Sequence, residues 1–424
     1  MSLIKNSCFF IVLVLVLAAC SKTKYNNIPN AAYLRVFNSL DFEPNVPNKD
    51  LPTPFLTMIV DPEFDKSGMV TGGKIVGDFL DKRIPYAAPY PANAGSSDYR
   101  NVEYPGTENV PVGPILNGIN LSSWAQVPSG KHRILFFSRP ITPTPFFNLD
   151  PQFRQTMLVD STVDLGPGEV YTMEVLQKTI ASVLPTPIQL YMRQEQFTQR
   201  PFNDTVLYVN FYNLSAEGYA AAHPELLDQG YYFQGTNRTT AFGDTMNLFY
   251  SLFSRDMPYP LNELNTVGSD LVPGYNNIWL GTLVRSQSSG LAPYYPIPMF
   301  AAPDTTGGIL SMEWQQFILM APGLSPAAGP VPIDYNLGMA GANPLCGAIG
   351  CTNLANDGKY DPVVSPPRTP GFQNVASTFL PNLIRYTASG TYPQRSFATI
   401  SSIEIINGYV YLTSVQRTYP PPVH

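Results

Sequence analysis

The sequence predicts an all-β protein built from two copies of one strand pattern, of which the second copy is the longer. Short segments of alternating apolar and polar residues, rich in β-branched and aromatic side chains, recur between Pro- and Gly-rich stretches. The 424 residues include 43 prolines and 31 glycines, with 12% aromatic but only 13% charged residues. This composition is typical of short strands joined by long, rigid loops, with enough apolar material for a core.

The first element is an apolar N-terminal segment that ends at a cysteine. The run Cys8–Leu17 follows a basic residue and is too short to cross a bilayer comfortably as a helix. Leu17-Ala18-Ala19-Cys20 then resembles the lipobox, the signal at which bacterial lipoproteins are cleaved and lipidated. We therefore predict a signal peptide over residues 1–19, lipidation of Cys20 and a tether over residues 20–30. An ordinary signal peptide or an anchor helix with a chance cysteine is the alternative.

The residues around the predicted lipid indicate where the protein works. Ser21 follows Cys20, so the Asp that retains enteric lipoproteins in the inner membrane is not in place, and delivery to the outer membrane is expected. The periplasmic and the surface face both stay open. The net charge of −6 and the scattered basic residues argue against nucleic acid as a partner.

The opening strand of the first copy recurs 175 residues later in the chain. Ala32–Asn38 (AYLRVFN) aligns without gaps with Leu207–Asn213 (LYVNFYN). Leu34 and Val36 fall on one face of a strand with a polar residue between them, and the later segment repeats this alternation. We therefore predict that both segments are strands.

A second pair of segments closes the two copies. Ser161–Val175 aligns with Ser401–Val415 at an offset of 240 residues, and each reads as strand, Gly-containing turn and strand. The pattern predicts a hairpin in each copy, and duplication explains the order of the two pairs better than the general likeness of antiparallel strands. Because the second offset is larger, the second copy contains more chain between these elements, which we expect in surface loops.

Aromatic residues in the expected loops are the best candidates for ligand binding. We predict loops over residues 83–118, 290–308 and 321–371, and a linker over residues 199–203. A rigid aromatic ring suits a sugar ring or a protein hot spot, and a tyrosine adds a hydroxyl group. The alternative is that these loops fold back and bury the rings. The candidates are Tyr86, Tyr90, Tyr294, Tyr295 and, beside Glu313, Trp314.

Three segments together carry a family resemblance: AYLRVFNS from Ala32, VPSGKHRI from Val127 and LGPGEVYT from Leu165. They are similar to strand and turn patterns of Bacteroidota-type lipoproteins that carry a repeated, uncharacterised immunoglobulin-like domain. The resemblance covers part of the first copy and only the two ends of the second. It implies two immunoglobulin-like β-sandwich domains with long insertions, over residues 31–198 and 204–424, and it implies no catalytic residues.

Signals for catalysis and metal binding are few. The sequence contains no nucleophile elbow, P-loop, dinucleotide fingerprint or HExxH motif. His132 lies in the predicted strand Lys131–Phe137 and is expected on its surface. Cys346 and Cys351 are predicted to form a local disulfide rather than a metal site, because no histidine lies near them in sequence. We predict no metal, no cofactor and no enzymatic activity.

The sequence therefore predicts a non-enzymatic protein, anchored in the outer membrane by its N-terminal lipid. Its aromatic loops are expected to engage a polysaccharide or an outer-membrane protein partner. One alternative is a structural spacer or adhesin subunit of a surface complex. Another is a glycosidase, which would need two facing carboxylates in a cleft.

Overall fold

Strands make up most of the described part of the chain. The computed structural model describes residues 28–40, 55–83, 90–91, 110–180, 187–203, 206–222, 243–253, 273–275, 277–298, 314–320, 322, 376–381, 385–389, 392–397, 399–407 and 409–417. Helical segments among these residues are short: α1 at Tyr219–Ala222 and 3-10 turns at Phe146–Asn148, Pro151–Arg154 and Phe197–Gln199. The predicted all-β class is confirmed.

The first copy forms two four-stranded sheets. Its strands are β1 (Ala31–Asn38), β2 (Phe55–Phe64), β3 (Val70–Leu80), β4 (Ile115–Leu116), β5 (Ile119–Asn120), β6 (Ala125–Pro128), β7 (Gly130–Arg139), β8 (Met157–Leu165), β9 (Val170–Gln177) and β10 (Ile188–Glu195). Inner sheet 1 has the order β10-β9-β1-β6, and outer sheet 1 has the order β3-β2-β7-β8. The short strands β4 and β5 pair with each other as a separate hairpin.

The first sandwich is held together by a core between its two sheets. Leu34 and Val36 of β1 face this core, as the alternation in the sequence predicts, and they meet Met58 of β2 and Phe136 of β7. All four side chains are buried. Strand β7 also confirms the predicted strand at Lys131–Phe137.

The second copy repeats this arrangement. Its strands are β11 (Val206–Asn213), β12 (Thr245–Phe253), β13 (Ile278–Val284), β14 (Tyr295–Pro298), β15 (Trp314–Met320), β16 (Ala376–Pro381), β17 (Arg385–Ser389), β18 (Tyr392–Phe397), β19 (Thr399–Ile406) and β20 (Tyr409–Gln416). Inner sheet 2 has the order β14-β11-β19-β20, and outer sheet 2 has the order β13-β12-β15-β16. Strands β17 and β18 form an additional hairpin.

Strand pairing shows that the two copies are equivalent at the level of single residues. Strand β1 pairs in parallel with β9, with Tyr33 opposite Val170, and β11 pairs in parallel with β19, with Tyr208 opposite Ile400. On its other side, each opening strand pairs antiparallel with a short strand that ends in proline, β6 or β14. The predicted 175-residue offset between the opening strands is therefore confirmed.

The predicted equivalence of Ser161–Val175 with Ser401–Val415 is wrong, because it aligns β8 instead of β9 with β19. In the first copy, β8 belongs to outer sheet 1 and β9 to inner sheet 1, so Ser161–Val175 crosses between sheets and is not a hairpin. In the second copy, β19 and β20 do pair as a hairpin. The pairing of β9 with β1 makes β9 the counterpart of β19, so Glu174 corresponds to Glu404 at an offset of 230 residues.

The two inner sheets pack face to face, so the four sheets form consecutive layers. Val170 and Ile400 share one apolar cluster between the sheets, and Leu176 and Ile406 share another. Each of these pairs joins equivalent residues of the two copies. Contact between equivalent residues is the mark of a twofold interface. The two copies are therefore arranged like the subunits of a symmetric dimer within one chain.

Three further expectations are corrected by the structure. The predicted loop over residues 83–118 contains the short strand β4, and the predicted loop over residues 290–308 contains strand β14, because prolines at alternate positions of Tyr295–Pro298 fit an edge position beside β11. His132 was expected on a strand surface, but its side chain is only 5% exposed. Its ring nitrogens lie 2.8 Å from Asp61 Oδ2 and 2.8 Å from the Pro128 carbonyl oxygen. The limits of residues 31–198 and 204–424 as separate domains stay a prediction.

Candidate functional site

Tyr90 lies inside the first sandwich. Its backbone pairs with Val36 of β1, and its ring is 2% exposed in the core that contains Leu34 and Met58. The expectation of an exposed ring is therefore wrong for Tyr90, whose side chain stabilises the sandwich instead of facing a ligand.

Tyr294 and Tyr295 are neighbours that contact different parts of the fold. Tyr294 packs against Phe202, with ring centroids 5.7 Å apart, and joins the apolar cluster between the two inner sheets. Burial raises the pKa of Tyr294 well above its ordinary value. Tyr295 packs on the core side against Phe211, with ring centroids 5.9 Å apart, and burial raises its pKa as well. Of these two tyrosines, Tyr295 is the one that lines a cavity.

The remaining predicted site residues lie wholly or partly outside the described part of the chain. Cys20, Tyr86, Cys346 and Cys351 lie outside the described residues, so lipidation, the disulfide and the role of Tyr86 stay predictions. Trp314 begins strand β15, where the described part of the chain includes its backbone but not its side chain.

A cavity of about 290 Å³ opens beside Tyr295 between the edge strands β13 and β14. We call it the edge pocket. It lies next to the last residues of β11, Phe211 to Asn213, beyond the point where the β14 pairing ends. This volume is close to the lower end of the range for small-molecule sites, about 300–1,000 Å³. The pocket therefore has room for a small ligand or for one unit of a polymer.

The lining of the edge pocket combines apolar and uncharged polar groups. Tyr295, Phe211 and Leu291 are among its apolar members, while Asn213, Thr282, Ser286 and Ser288 bring amide and hydroxyl groups. None of the residues that line the pocket is an Asp, Glu, Lys, Arg or His. The full lining is Phe211, Tyr212, Asn213, Leu248, Gly281, Thr282, Leu283, Val284, Ser286, Ser288, Gly290, Leu291, Ala292, Pro293 and Tyr295.

The position of the edge pocket has a counterpart in the first sandwich. Phe211 is equivalent to Val36, and the place beside Val36 is taken by Tyr90. In the second copy the Ser286 amide donates a hydrogen bond to the Asn213 carbonyl oxygen. In the first copy the Arg83 amide donates the equivalent bond to the Asn38 carbonyl oxygen. The two copies thus differ here, since the first fills the site with Tyr90 and the second has a cavity.

Gly281 limits one wall of the edge pocket. It follows a bulge in the pairing of β12 with β13 and has a φ of +156°. A Cβ atom at this position would lie 3.0 Å from the Tyr295 hydroxyl oxygen. Glycine therefore leaves the space that the tyrosine hydroxyl occupies.

A second feature, which the sequence did not reveal, is a cluster of charged side chains between the inner sheets. Arg83 Nη1 lies 3.3 Å from Glu174 Oε2 and 2.5 Å from Glu404 Oε2. Arg193 Nη1 lies 3.3 Å from Glu174 Oε1, and Arg193 also pairs with Glu404. The side chains of Glu174, Glu404 and Arg193 have no exposed surface, and that of Arg83 is 1% exposed. We call these four residues the interface cluster.

The two equivalent glutamates have opposite electrostatic environments. Burial and the neighbouring Glu404 raise the pKa of Glu174 to about 7, against the opposing effect of Arg83 and Arg193. For Glu404, burial alone would raise the pKa, but Arg193 and Arg83 outweigh it and lower the pKa to about 2. Glu404 thus carries the firm negative charge of the pair, and Glu174 is the group that takes up a proton.

Two other features are absent from the described residues, a metal site and a membrane-spanning helix. No group of three or more His, Cys, Asp or Glu side chains among them is arranged to hold a metal ion. No described helix is both long and apolar enough to span a membrane.

Comparison with known proteins adds no assignment. No family model matches the chain, and no curated protein matches its sequence.

Proposed function

We propose that the protein is a non-enzymatic binding component, anchored in the outer membrane by a lipid on Cys20, whose edge pocket holds a neutral sugar unit of an envelope glycan. The observation that carries this proposal is the lining of the edge pocket. The Tyr295 ring supplies an aromatic surface, and the polar groups beside it are hydroxyls and an amide without formal charge.

A sugar ring matches this combination of groups. Its C–H faces pack on an aromatic ring, and its hydroxyl groups exchange hydrogen bonds with exposed hydroxyl side chains such as Ser286 and Ser288. An ionised ligand would lose its hydration in the pocket without meeting an opposite charge there. The pocket therefore favours a neutral glycan over an acidic one.

The paired carboxylates of the interface cluster do not form the substrate cleft that a glycosidase needs. A glycosidase needs two carboxyl groups that face a substrate cleft. Glu174 and Glu404 come together, but their side chains have no exposed surface and both contact arginines. A polysaccharide has no access to this pair in the closed interface.

Isothermal titration of the full chain tests the proposal, with soluble starch, mannan and dextran as neutral probes and pectin as an acidic one. We expect at least one neutral polysaccharide to bind and pectin not to bind. Tyr295→Ala should weaken that binding at least about tenfold, because it removes the ring from the pocket. Trp279→Ala is the matched control, because Trp279 is 62% exposed on β13 but does not line the pocket.

Three outcomes would contradict the proposal. Absence of binding to all three neutral probes would favour a structural spacer. Loss of binding on Trp279→Ala but not on Tyr295→Ala would place the glycan on the outer face of β13. Release of reducing sugar from a bound polysaccharide would indicate a glycosidase.

A further inference from the structure

The interface cluster is symmetric in its glutamates but not in its arginines. Glu174 and Glu404 occupy equivalent positions and meet across the interface, as expected for a twofold contact. Arg83 and Arg193 both come from the first copy, and the strand pairing makes Ser286 and Thr413 their counterparts in the second. One copy therefore supplies the positive charge that allows two equivalent carboxylates to share a buried site.

The distances show which glutamate is held less firmly as an anion. Arg83 Nη1 is 2.5 Å from Glu404 but 3.3 Å from Glu174. Glu174 also lies 3.3 Å from Arg193, and its remaining close partner is the uncharged Ser39 hydroxyl at 3.1 Å. Because Glu404 forms the closer contact with the shared arginine, Glu174 is the natural site for a proton.

The other charged and titratable groups around Glu174 and Glu404 do not change which of the two takes up a proton more readily. Glu195 on β10 accepts a hydrogen bond from Thr172 and lies 2.9 Å from Arg193 Nε. Its negative charge therefore offsets part of the positive charge that Arg193 presents to Glu174. Arg35 on β1 lowers the pKa of Glu404. Three tyrosines also lie here: burial raises the pKa of Tyr191 and of Tyr212 well above the ordinary value, Tyr212 packs against Arg193, and Tyr411 packs against Arg83.

We propose that Glu174 is a proton-sensitive contact that sets how tightly the two sandwiches are held together. Closing the interface removes Glu174 from water and places it beside Glu404, which favours its neutral form. Opening the interface returns the carboxyl group to water, where its negative charge is hydrated. Closure is therefore coupled to uptake of one proton by Glu174, and deprotonation of Glu174 loosens the contact between the inner sheets.

The direction of the pH effect follows from the difference between the closed and open states. The pKa of Glu174 is about 7 in the closed state, against an ordinary value of 4.5. Below the ordinary value Glu174 is protonated in both states, so its stabilising effect on closure is fully present. That effect is lost as the pH rises through the window to about 7. A single proton over this window changes the ratio of closed to open molecules at least about tenfold.

Amide hydrogen exchange of the full chain between pH 5 and pH 8, corrected for the intrinsic exchange rate, measures this change. Strands β9 and β19 in the inner sheets should lose at least about tenfold protection as the pH rises, while β2 and β7 in outer sheet 1 change less. Glu174→Gln keeps the neutral shape of the protonated acid, so it should abolish the pH dependence in β9 and β19. Asp160→Asn is the control, because Asp160 pairs with Arg133 on the exposed side of outer sheet 1.

Two results would overturn the proposal. One is protection in β9 and β19 that does not change between pH 5 and pH 8. The other is a pH dependence in β9 and β19 that survives Glu174→Gln, whatever the behaviour of the Asp160→Asn control. Infrared difference spectroscopy uses the wild-type chain, so it tests the proposal even where a variant does not fold. It should show a buried carboxylic acid that ionises near neutrality, and absence of this signal would also refute the proposal.

Discussion

Replacing Glu404 by glutamine provides the sharpest test of how the two copies are held together. The substitution preserves the shape of the side chain but removes the charge that Arg83 and Arg193 both contact. These groups are buried between the inner sheets, so water does not compensate for the lost carboxylate. We expect Glu404→Gln to destabilise the protein strongly at pH 7.

The magnitude follows from the neighbours that remain. Removing one partner of a buried ion pair costs about 3–5 kcal/mol. In Glu404→Gln, Glu174 still faces both arginines and is freed from the repulsion of Glu404, which offsets part of this cost. We therefore expect a loss near the lower end, about 3 kcal/mol, which is a large fraction of the roughly 5–15 kcal/mol that typically stabilises a folded domain.

Urea unfolding followed by tryptophan fluorescence measures this loss, with Glu174→Gln as the matched control. Glu174 is equivalent in position and burial, but its raised pKa means that its charge already opposes folding at pH 7. We expect Glu174→Gln to change the unfolding free energy by less than about 1 kcal/mol or to increase it. Equal losses for the two variants, or no loss for Glu404→Gln, would refute this account of the interface cluster.

Three further predictions concern the edge pocket, the core and the acid range. Gly281→Ala should weaken neutral glycan binding in titration, because the added Cβ would lie 3.0 Å from the Tyr295 hydroxyl at a φ that favours glycine. Phe136→Ala should lower the unfolding free energy by about 3–5 kcal/mol in urea, since it leaves a cavity in the core of the first sandwich. The arginines lower the pKa of Glu404 to about 2, so stability that Glu404 contributes above pH 4.5 should be lost toward pH 2. In Glu404→Gln, the unfolding free energy should fall less between pH 4.5 and pH 2 than in the wild-type protein.

The sequence was sufficient for the fold class and for the opening strands of both copies. Leu34 and Val36 face the core as their alternation predicts, and the 175-residue offset corresponds to identical pairing in the two inner sheets. It was not sufficient for the closing strands. Ser161–Val175 and Ser401–Val415 share turn and strand patterns, but β8 and β9 lie in opposite sheets. Local pattern does not determine which distant strand becomes the partner.

The sites were harder to predict than the fold because they depend on contacts between distant elements. Arg35 occupies the polar position between Leu34 and Val36, yet it is 1% exposed and packs on Trp124, with its guanidinium carbon 3.9 Å from the ring centroid. Tyr90 is buried by pairing with β1, whereas Tyr295 keeps an accessible ring beside a cavity. The matching glutamates, Glu174 and Glu404, become visible as a pair only once the strand register is known.

The two copies pack through equivalent faces of their inner sheets. Gln177 and Asn407 are equivalent residues that form a hydrogen bond of 2.8 Å across the interface. In a chain with Cys8, Cys20, Cys346 and Cys351 replaced by serine, mild oxidation should join Gln177→Cys to Asn407→Cys rapidly as a disulfide. Mass spectrometry of the digested protein identifies the linked peptides.

The pair Asp160→Cys and Asn407→Cys is the control, because Asp160 lies on β8 in outer sheet 1 and Asn407 follows β19 in inner sheet 2. Face-to-face packing of the inner sheets predicts rapid linkage of positions 177 and 407 and slow linkage of positions 160 and 407. Equal rates for the two pairs, or no linkage between positions 177 and 407, would contradict the account.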